Sequence, residues 1–495
     1  MLLAVTLLLT SLVQKNTGFN DHTFRGAVFE YAPSVLNRTK VVSRAEALKY
    51  MRGNLLKYKE IAEEASRKLV DIIVFPEDGI THYWHTRQSA RSYLEFIPDP
   101  KKEKWNSCND PHRYPNTEVQ HFLSCLAKNN SLYLVANIGD VQPCNHNSTS
   151  KTCPSDGHFQ YNTDVVYDGN GMLIAKYHKI NLFHEHMYDP STSKEVVHFQ
   201  TPFGTFAVFT CFDVMFRNPT EILLREQGIR NVVFPTGWMD VLPFLAAIEF
   251  HSAVAAGFGV NYLAANLHIP EYRFQGSGIY SPNGALAYYY NSTVSSKGKL
   301  LIADVPILDN HPPYLPNQNR PVPNGMMDHN IRNPPSFRAV TNRDFYNYVA
   351  LDKATDHVRV CHNKLCCIAY YTTTKNFTEL FALAAYDGLH SSYYIQVCGI
   401  VKCKTYNRSS CGEGSKTSTT FFSHLSIQGT FTTDFVFPEI LLYGNGSFQL
   451  SPPGNWSYNS KMLQAPKGFD KPLVTFSMFS RDYSRDRIRT VDILG

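Results

Sequence analysis

Short apolar runs alternating with helix-period segments across residues 26–305 restrict this chain more than any other feature, because they admit only a layered α/β architecture. A strand over Gly26–Glu30 precedes a helix opened by the capping box Ser43-x-x-Glu46. Leu48, Met51, Leu55, Tyr58 and Ala62 recur along that helix at helical spacing and define one buried face. The next run, Asp71–Phe75, is short, β-branched and stopped by Pro76, as a strand buried on both faces would be. The pattern then repeats: a helix near 117–129, a strand at 132–137, and a hairpin of 162–167 with 172–177 turning at Asp168-Gly-Asn-Gly171. Strands at 205–210, 231–234 and 261–266 alternate with helices at 219–227 and 244–256, and short strands at 279–280 and 300–305 close the series.

At 495 residues the chain exceeds what one core organises, so two domains are expected. Eight prolines between Pro306 and Pro335 interrupt all periodicity, and beyond them Thr-, Tyr- and Phe-rich runs indicate β structure. The chain divides into a leader at 1–20, an α/β domain at 21–310, a Pro-rich linker at 311–339 and a Cys-rich β domain at 340–495. The formal charge of +5 comes without a run of Lys or Arg, which argues against a nucleic-acid partner.

Several features point to export. Met1–Val13 is largely apolar and reads as the core of a signal peptide. Sequons stand at Asn37, Asn129, Asn147, Asn291, Asn376, Asn407, Asn445 and Asn455, the expected glycosylation sites, and none falls between Asn147 and Asn291. The 11 cysteines divide into four (Cys108 to Cys153), then Cys211 alone, then six (Cys361 to Cys411). An oxidising compartment would pair within the even groups and leave Cys211 as the odd thiol. Cys144 with Cys153 closes a plausible short loop, whereas the remaining pairings stay open. A hydrophobic C-terminal tail of the kind a lipid anchor needs is not seen, so a secreted product with no stable membrane anchor is expected.

Three chemically useful residues each follow a predicted strand: Glu77, Lys179 and Cys211. Strand ends distant in sequence can meet at one rim of a sheet. A thiol is mostly protonated at neutral pH, so Glu77 is expected as proton acceptor for the nucleophile Cys211 and later as donor to the departing amine. Lys179 is expected to stabilise the thiolate and the oxyanion, with backbone N–H groups after Cys211 as further donors. This chemistry requires no metal and no organic cofactor. His184, His186 and Tyr188, just beyond Lys179, stand where a loop over the pocket could be shaped, and the two histidines read more simply as surface residues.

The flanks Phe75-Pro-Glu-Asp-Gly79, Tyr177-His-Lys-Ile-Asn-Leu182 and Phe209-Thr-Cys-Phe-Asp213 resemble the three motif blocks of the nitrilase superfamily. That resemblance implies an αββα sandwich, a Glu–Lys–Cys triad and amide hydrolysis. Over nearly the whole chain, segments such as Ser124-Cys-Leu-Ala-Lys-Asn129, Phe234-Pro-Thr-Gly-Trp-Met239, Leu365-Cys-Cys367 and Tyr394-Ile-Gln-Val-Cys398 resemble the vanin and biotinidase group. The group pairs a nitrilase domain with a smaller disulfide-rich, β-sandwich-like domain. The resemblance implies a small-molecule amide substrate, either pantetheine, cleaved to pantothenate and cysteamine, or a biotinyl amide such as biocytin. Departures at Thr81-His-Tyr-Trp84 and at Gly237, where Ala is common, bear on the pocket wall. A catalytically silent extracellular binding or adhesion protein is the alternative from another class, and alkylation of Cys211 discriminates it.

Overall fold

Two sheets built on one plan lie face to face in the N-terminal part. In the computed structural model, which describes residues 22–34, 39–83, 85–145, 153–191, 196–295, 297–308 and 331–487, the first sheet contains β1 (Thr23–Tyr31), β2 (Ile72–Val74), β3 (Tyr133–Pro143), β4 (His158–Tyr167) and β5 (Leu173–His178) in that order. The second contains β6 (His198–Thr201), β7 (Gly204–Val208), β8 (Asn231–Thr236), β9 (Asn261–Asn266), β10 (Ser277–Ser281) and β11 (Gly284–Tyr289). β12 (Gly298–Pro306) then returns to pair with β1, giving each sheet six strands. Read from β12 and from β6, the neighbours pair antiparallel, parallel, parallel, antiparallel and antiparallel in both sheets. The expected leader lies outside the described residues, as do Asn37, Asn147 and Trp84.

The period-two alternation decides which face each residue serves. Val28, Ile72, Val74 and Val135 of the first sheet share a core with Phe206, Val208, Val232 and Phe234 of the second. Phe29, Ile73, Phe75 and Leu134 point the other way, into helices α1 (Arg44–Arg67) and α3 (Glu118–Asn130), with the single turn α2 (Arg87–Ala90) between them. The Ser43–Glu46 capping box that opens α1 forms as expected. On the far side, α4 (Ala247–Phe258) covers the second sheet and completes the αββα order. The helix expected near Pro219 forms over Arg217–Glu226 with wide turns and a non-helical break at Asn218.

The C-terminal part is a sandwich of a seven-stranded and a five-stranded sheet between Phe337 and Arg481. Its first strand, Phe337–Thr341, begins inside the stretch assigned to the linker, most of which lies outside the described residues. α4 packs against this second sandwich, along the strand Val436–Gly444. Its sequence is apolar almost all round, as a helix covered on both sides must be. Close approach depends on glycine: a Cβ on Gly257 would sit 2.4 Å from the Phe437 ring, and one on Gly399 would sit 2.9 Å from the ring of Phe244.

The disulfides join Cys108–Cys125, Cys144–Cys153, Cys361–Cys366, Cys367–Cys398 and Cys403–Cys411, all within the two even groups. Cys211 is the free cysteine, and it is buried.

Candidate active site

β2 and β5 run in the same direction in the first sheet, and β7 and β8 share a direction in the second. Glu77, Lys179, Cys211 and Gly237 each follow the C-terminal end of one of these strands. Turns after like-directed strands collect at one edge, which is how residues 134 positions apart meet.

At that edge the Lys179 ammonium lies 2.7 Å from Glu77 Oε1 and 2.8 Å from Glu185 Oε2, and all three side chains are buried. Asn162 Nδ2 donates to both acids, at 2.8 Å to Glu77 and 2.6 Å to Glu185. The backbone N–H of Gly237 donates to the other Glu77 oxygen at 2.7 Å. Glu77 is thus held on both oxygens by groups that follow two strand ends, Lys179 and Gly237, and by Asn162 from within β4. Glu77, Asp78 and Glu185 bring ligand-capable oxygens within 4.8 Å of one another, a grouping able to hold a cation, and the Lys179 ammonium supplies one.

The Cys211 turn is built separately and then tied to the Lys179 strand. Cys211 has φ +47°, a left-handed conformation that costs a non-glycine residue energy and that recurs at functional turns. The short helix Cys211–Met215 that begins there is capped at its N-terminus by Asp213, whose carboxylate accepts from Thr210 N–H at 3.2 Å. Asp213 also accepts from Tyr177 Oη at 2.7 Å and from Asn181 N and Nδ2 at 2.9 and 2.8 Å. Tyr177 and Asn181 flank Lys179 at two residues on either side, so one carboxylate sets the nucleophile turn and the lysine in common register. Beneath them Asn137 bonds Asn162 and Asp164, and Thr210 Oγ1 donates to Asp164 at 2.6 Å.

Burial first, and then the charge of Glu77, push Cys211 well above its ordinary value, while Lys179 pulls it down against them and Glu185 adds to the rise. Two carboxylates surround one ammonium, so the local balance is negative. The ammonium itself is favoured: burial lowers Lys179, but Glu185 and Glu77 raise it well above its usual value. Burial raises Glu185 against the pull of Lys179. It likewise raises Asp213 to about 6, opposed by Lys179, Tyr177 and Asn181.

Glu185 is the member of this cluster that sequence reasoning missed. It sits between His184 and His186, in a loop without periodicity, and its only signal was an acid near the lysine motif. Of its neighbours, His184 and His186 are exposed as expected, whereas Tyr188 is buried in a small cluster with Leu94 and Met187. Asn129, Asn376, Asn407, Asn445 and Asn455 are exposed and Asn291 is half-buried.

Cys211 opens into a cavity of about 690 Å³ whose walls include Phe212, Met215, Gly237 and Trp238, together with residues of the C-terminal sandwich. That size suits a small organic molecule. The second sandwich also holds the nucleophile turn: buried Arg481 donates from Nε to the Met215 carbonyl at 2.7 Å and pairs with Asp486 at 2.7 Å.

Comparison with known proteins defines the class. Residues 50–306 match the carbon–nitrogen hydrolase family and residues 336–486 match the vanin C-terminal domain. The chain is 43% identical over 471 residues to the pantetheinase of Bos taurus, covering 94% of this chain and 90% of that protein. It is 37% identical over 491 residues to the biotinidase of Mus musculus, covering 93% of each. An amidase from Nesterenkonia sp. is similar in structure at 17% identity and a TM-score of 0.40, over 58% of this chain and 91% of its own. The chain belongs to the vanin and biotinidase group of the carbon–nitrogen hydrolase family. It is a hydrolase acting on amide carbon–nitrogen bonds of small molecules.

Proposed function

We propose that this protein hydrolyses pantetheine to pantothenate and cysteamine, with Cys211 as nucleophile, Glu77 as proton carrier and Lys179 as stabiliser of the oxyanion. The observation that carries the reading is the free thiol at the inner wall of a cavity, beside a carboxylate that already shares its proton-accepting atoms with a buried ammonium. The resting sulfur keeps its proton, because burial and the surrounding acids disfavour the thiolate. Activation therefore occurs on attack: Glu77 takes the S–H proton as sulfur bonds to the amide carbon, and the oxyanion draws on Lys179. Collapse breaks the carbon–nitrogen bond, and Glu77 returns the proton to the leaving amine. Water, deprotonated by Glu77, then cleaves the thioester, releases the acid and restores the thiol.

Substrate choice rests on relatives. The higher identity to pantetheinase than to biotinidase, 43% against 37%, supports pantetheine over a biotinyl amide. The test is cysteamine release from pantetheine, with biocytin hydrolysis measured alongside. Wild-type protein should release cysteamine, and Cys211→Ala should lower the rate at least ~10⁴-fold with unchanged folding. Preferential release of biotin from biocytin would replace the substrate, and inertness on both would favour the silent binding protein.

We further propose that 21–310 acts as the catalytic domain, that 311–339 links it to a β domain at 340–495, and that the chain is exported and glycosylated at its sequons. Five disulfides and the exposure of most described sequons support export. Among the described residues no helix is long and apolar enough to cross a membrane.

A further inference from the structure

The cavity that Cys211 opens into is not a feature of the catalytic sandwich alone. Its outer wall comes from two hairpin turns of the C-terminal sandwich, Asn342–Arg343 between strands Phe337–Thr341 and Asp344–Leu351, and Ser391–Ser392 between Phe381–His390 and Tyr393–Lys402. Both turns are fixed by left-handed backbone. Asn342 has φ +50° and Arg343 φ +76°, the two consecutive positive values of a type I′ hairpin turn, and Ser391 has φ +57°. Asn tolerates that conformation, whereas an arginine there stores strain that glycine would avoid. Arg273 of the catalytic sandwich lines the same cavity and is left-handed as well, at φ +66°.

The charges around this mouth are unevenly satisfied. Asp344, the acid among the cavity-lining residues, is taken up by His390 Nδ1 at 2.5 Å. Neither the Arg343 nor the Arg273 guanidinium makes an ion pair or hydrogen bond among the described residues, and both residues are exposed. Deeper in, Phe212, Met215 and Trp238 make the wall apolar beside Cys211. The second wall cannot drift from the nucleophile, because Tyr393 packs edge-on against Phe212 at 6.1 Å and lies under Arg481, which bonds the Met215 carbonyl.

We propose that the C-terminal sandwich selects the substrate, with Arg343, assisted by Arg273, as the specificity-determining residue that binds the oxygen-bearing far end of the acyl group. The assignment rests on the pantetheine reading. An amide carbonyl must lie at Cys211 deep in the cavity, and the amine side of pantetheine is only two carbons and a thiol long. The long acyl side must therefore run outward along the apolar wall. Its dimethyl-bearing carbon suits that wall, and its hydroxyl and amide oxygens reach the rim as acceptors for the two guanidinia.

The test compares pantetheine with N-propanoylcysteamine, which keeps the same amine and scissile amide but lacks the hydroxylated tail. In the full-length protein Arg343→Ala should raise KM for pantetheine about tenfold, as loss of a hydrogen bond from a charged donor implies. kcat should change by no more than about twofold, so the preference for pantetheine over the truncated amide falls about tenfold. Arg343→Lys should recover part of the loss, and Lys375→Ala, on the exposed surface, should leave the preference as it is. Arg343→Gly relieves the strained turn and so provides a variant certain to keep the hairpin; it should lose preference as fully as the alanine. An unchanged preference in Arg343→Gly and in the Arg273→Ala/Arg343→Ala double variant would overturn the assignment. Wild-type cleavage of the propanoyl compound without cleavage of pantetheine would instead sink the substrate reading, and this assignment with it.

Discussion

The two sandwiches solve the problem of a filled interior in opposite ways. At the catalytic edge of the first, Glu77, Asp78, Asp164, Lys179, Glu185 and Asp213 are all buried, and polar contacts alone hold them. The core of the second is apolar and crosslinked, with Cys367–Cys398 tying the five-stranded sheet to the seven-stranded one. Burying charge is costly, and a chain tolerates it where the charges do chemistry. The covalent links stand where stability alone is at issue. The first region should therefore fail electrostatically and the second entropically.

Removing the cation tests the first half of that contrast and should have the largest effect. Lys179→Met leaves Glu77 and Glu185 facing each other in a buried site without their shared ammonium. Loss of one partner from a buried pair costs about 3–5 kcal/mol, and loss of an oxyanion donor costs about 10²–10³-fold in kcat. The two stranded carboxylates then prefer to be protonated when folded. A group whose folded pKa lies above its unfolded value stabilises the fold less as pH rises, so the deficit should shrink toward pH 5 and widen toward pH 8. Urea unfolding at both values checks this, and a deficit independent of pH would show that packing, not charge, was lost.

This edge was partly legible in the sequence, for a reason that also explains what was not. Glu77, Lys179 and Cys211 each end a strand, and strand ends can be read from local apolar runs. Helix α1 was visible for a similar reason, since its capping box lies within four residues of chain. Glu185 sits in an aperiodic loop, and the rise of the Cys211 thiol comes foremost from burial and then from Glu77, with Glu185 a smaller addition, so it depends on tertiary packing that no local pattern encodes. The short edge strands β6 and β11 carried too little alternation to register. The second wall of the cavity depends on turns at Arg343 and Ser391 that meet Cys211 only through the packing of the two sandwiches.

Breaking the covalent link tests the other half, with a smaller expected effect. Cys367→Ala/Cys398→Ala opens a bridge spanning 31 residues in sequence, and its removal should cost about 2–4 kcal/mol. Neither sulfur lies at the cavity, so below the unfolding transition kcat should hold within about twofold while the melting temperature falls. A large loss of kcat at 25 °C would mean that this bridge shapes the cavity wall and the Arg481 contact, and not only the stability of the fold.

Between the two regions lies a buried acid that obeys neither rule, and it sharpens the comparison at the smallest scale. Glu249 on α4 is fully buried, its oxygens have no partner at ordinary hydrogen-bond geometry among the described residues, with the Ala246 N–H the nearby backbone donor, and Glu439 of the second sandwich is a charge neighbour across the junction. Burial foremost raises Glu249 well above its usual 4.5, Glu439 and then Asp240 add to this, and the Ala246 N–H opposes it. Glu439 is also raised by burial, against a 2.6 Å hydrogen bond from Ser477. His251, on the same helix, offers no counter-charge, because burial lowers it to about 3. Folding thus requires Glu249 to take up a proton once the pH exceeds the carboxyl's unfolded value. Stability should fall with rising pH from about 4.5 upward by as much as ~1.4 kcal/mol per unit for this one proton. Glu249→Gln removes the requirement, so its unfolding free energy relative to wild type should improve steadily across that range. Parallel curves from pH 4 to 8 would show that the helix carries its charge into the junction, and that the electrostatic burden of the fold is not confined to the catalytic edge.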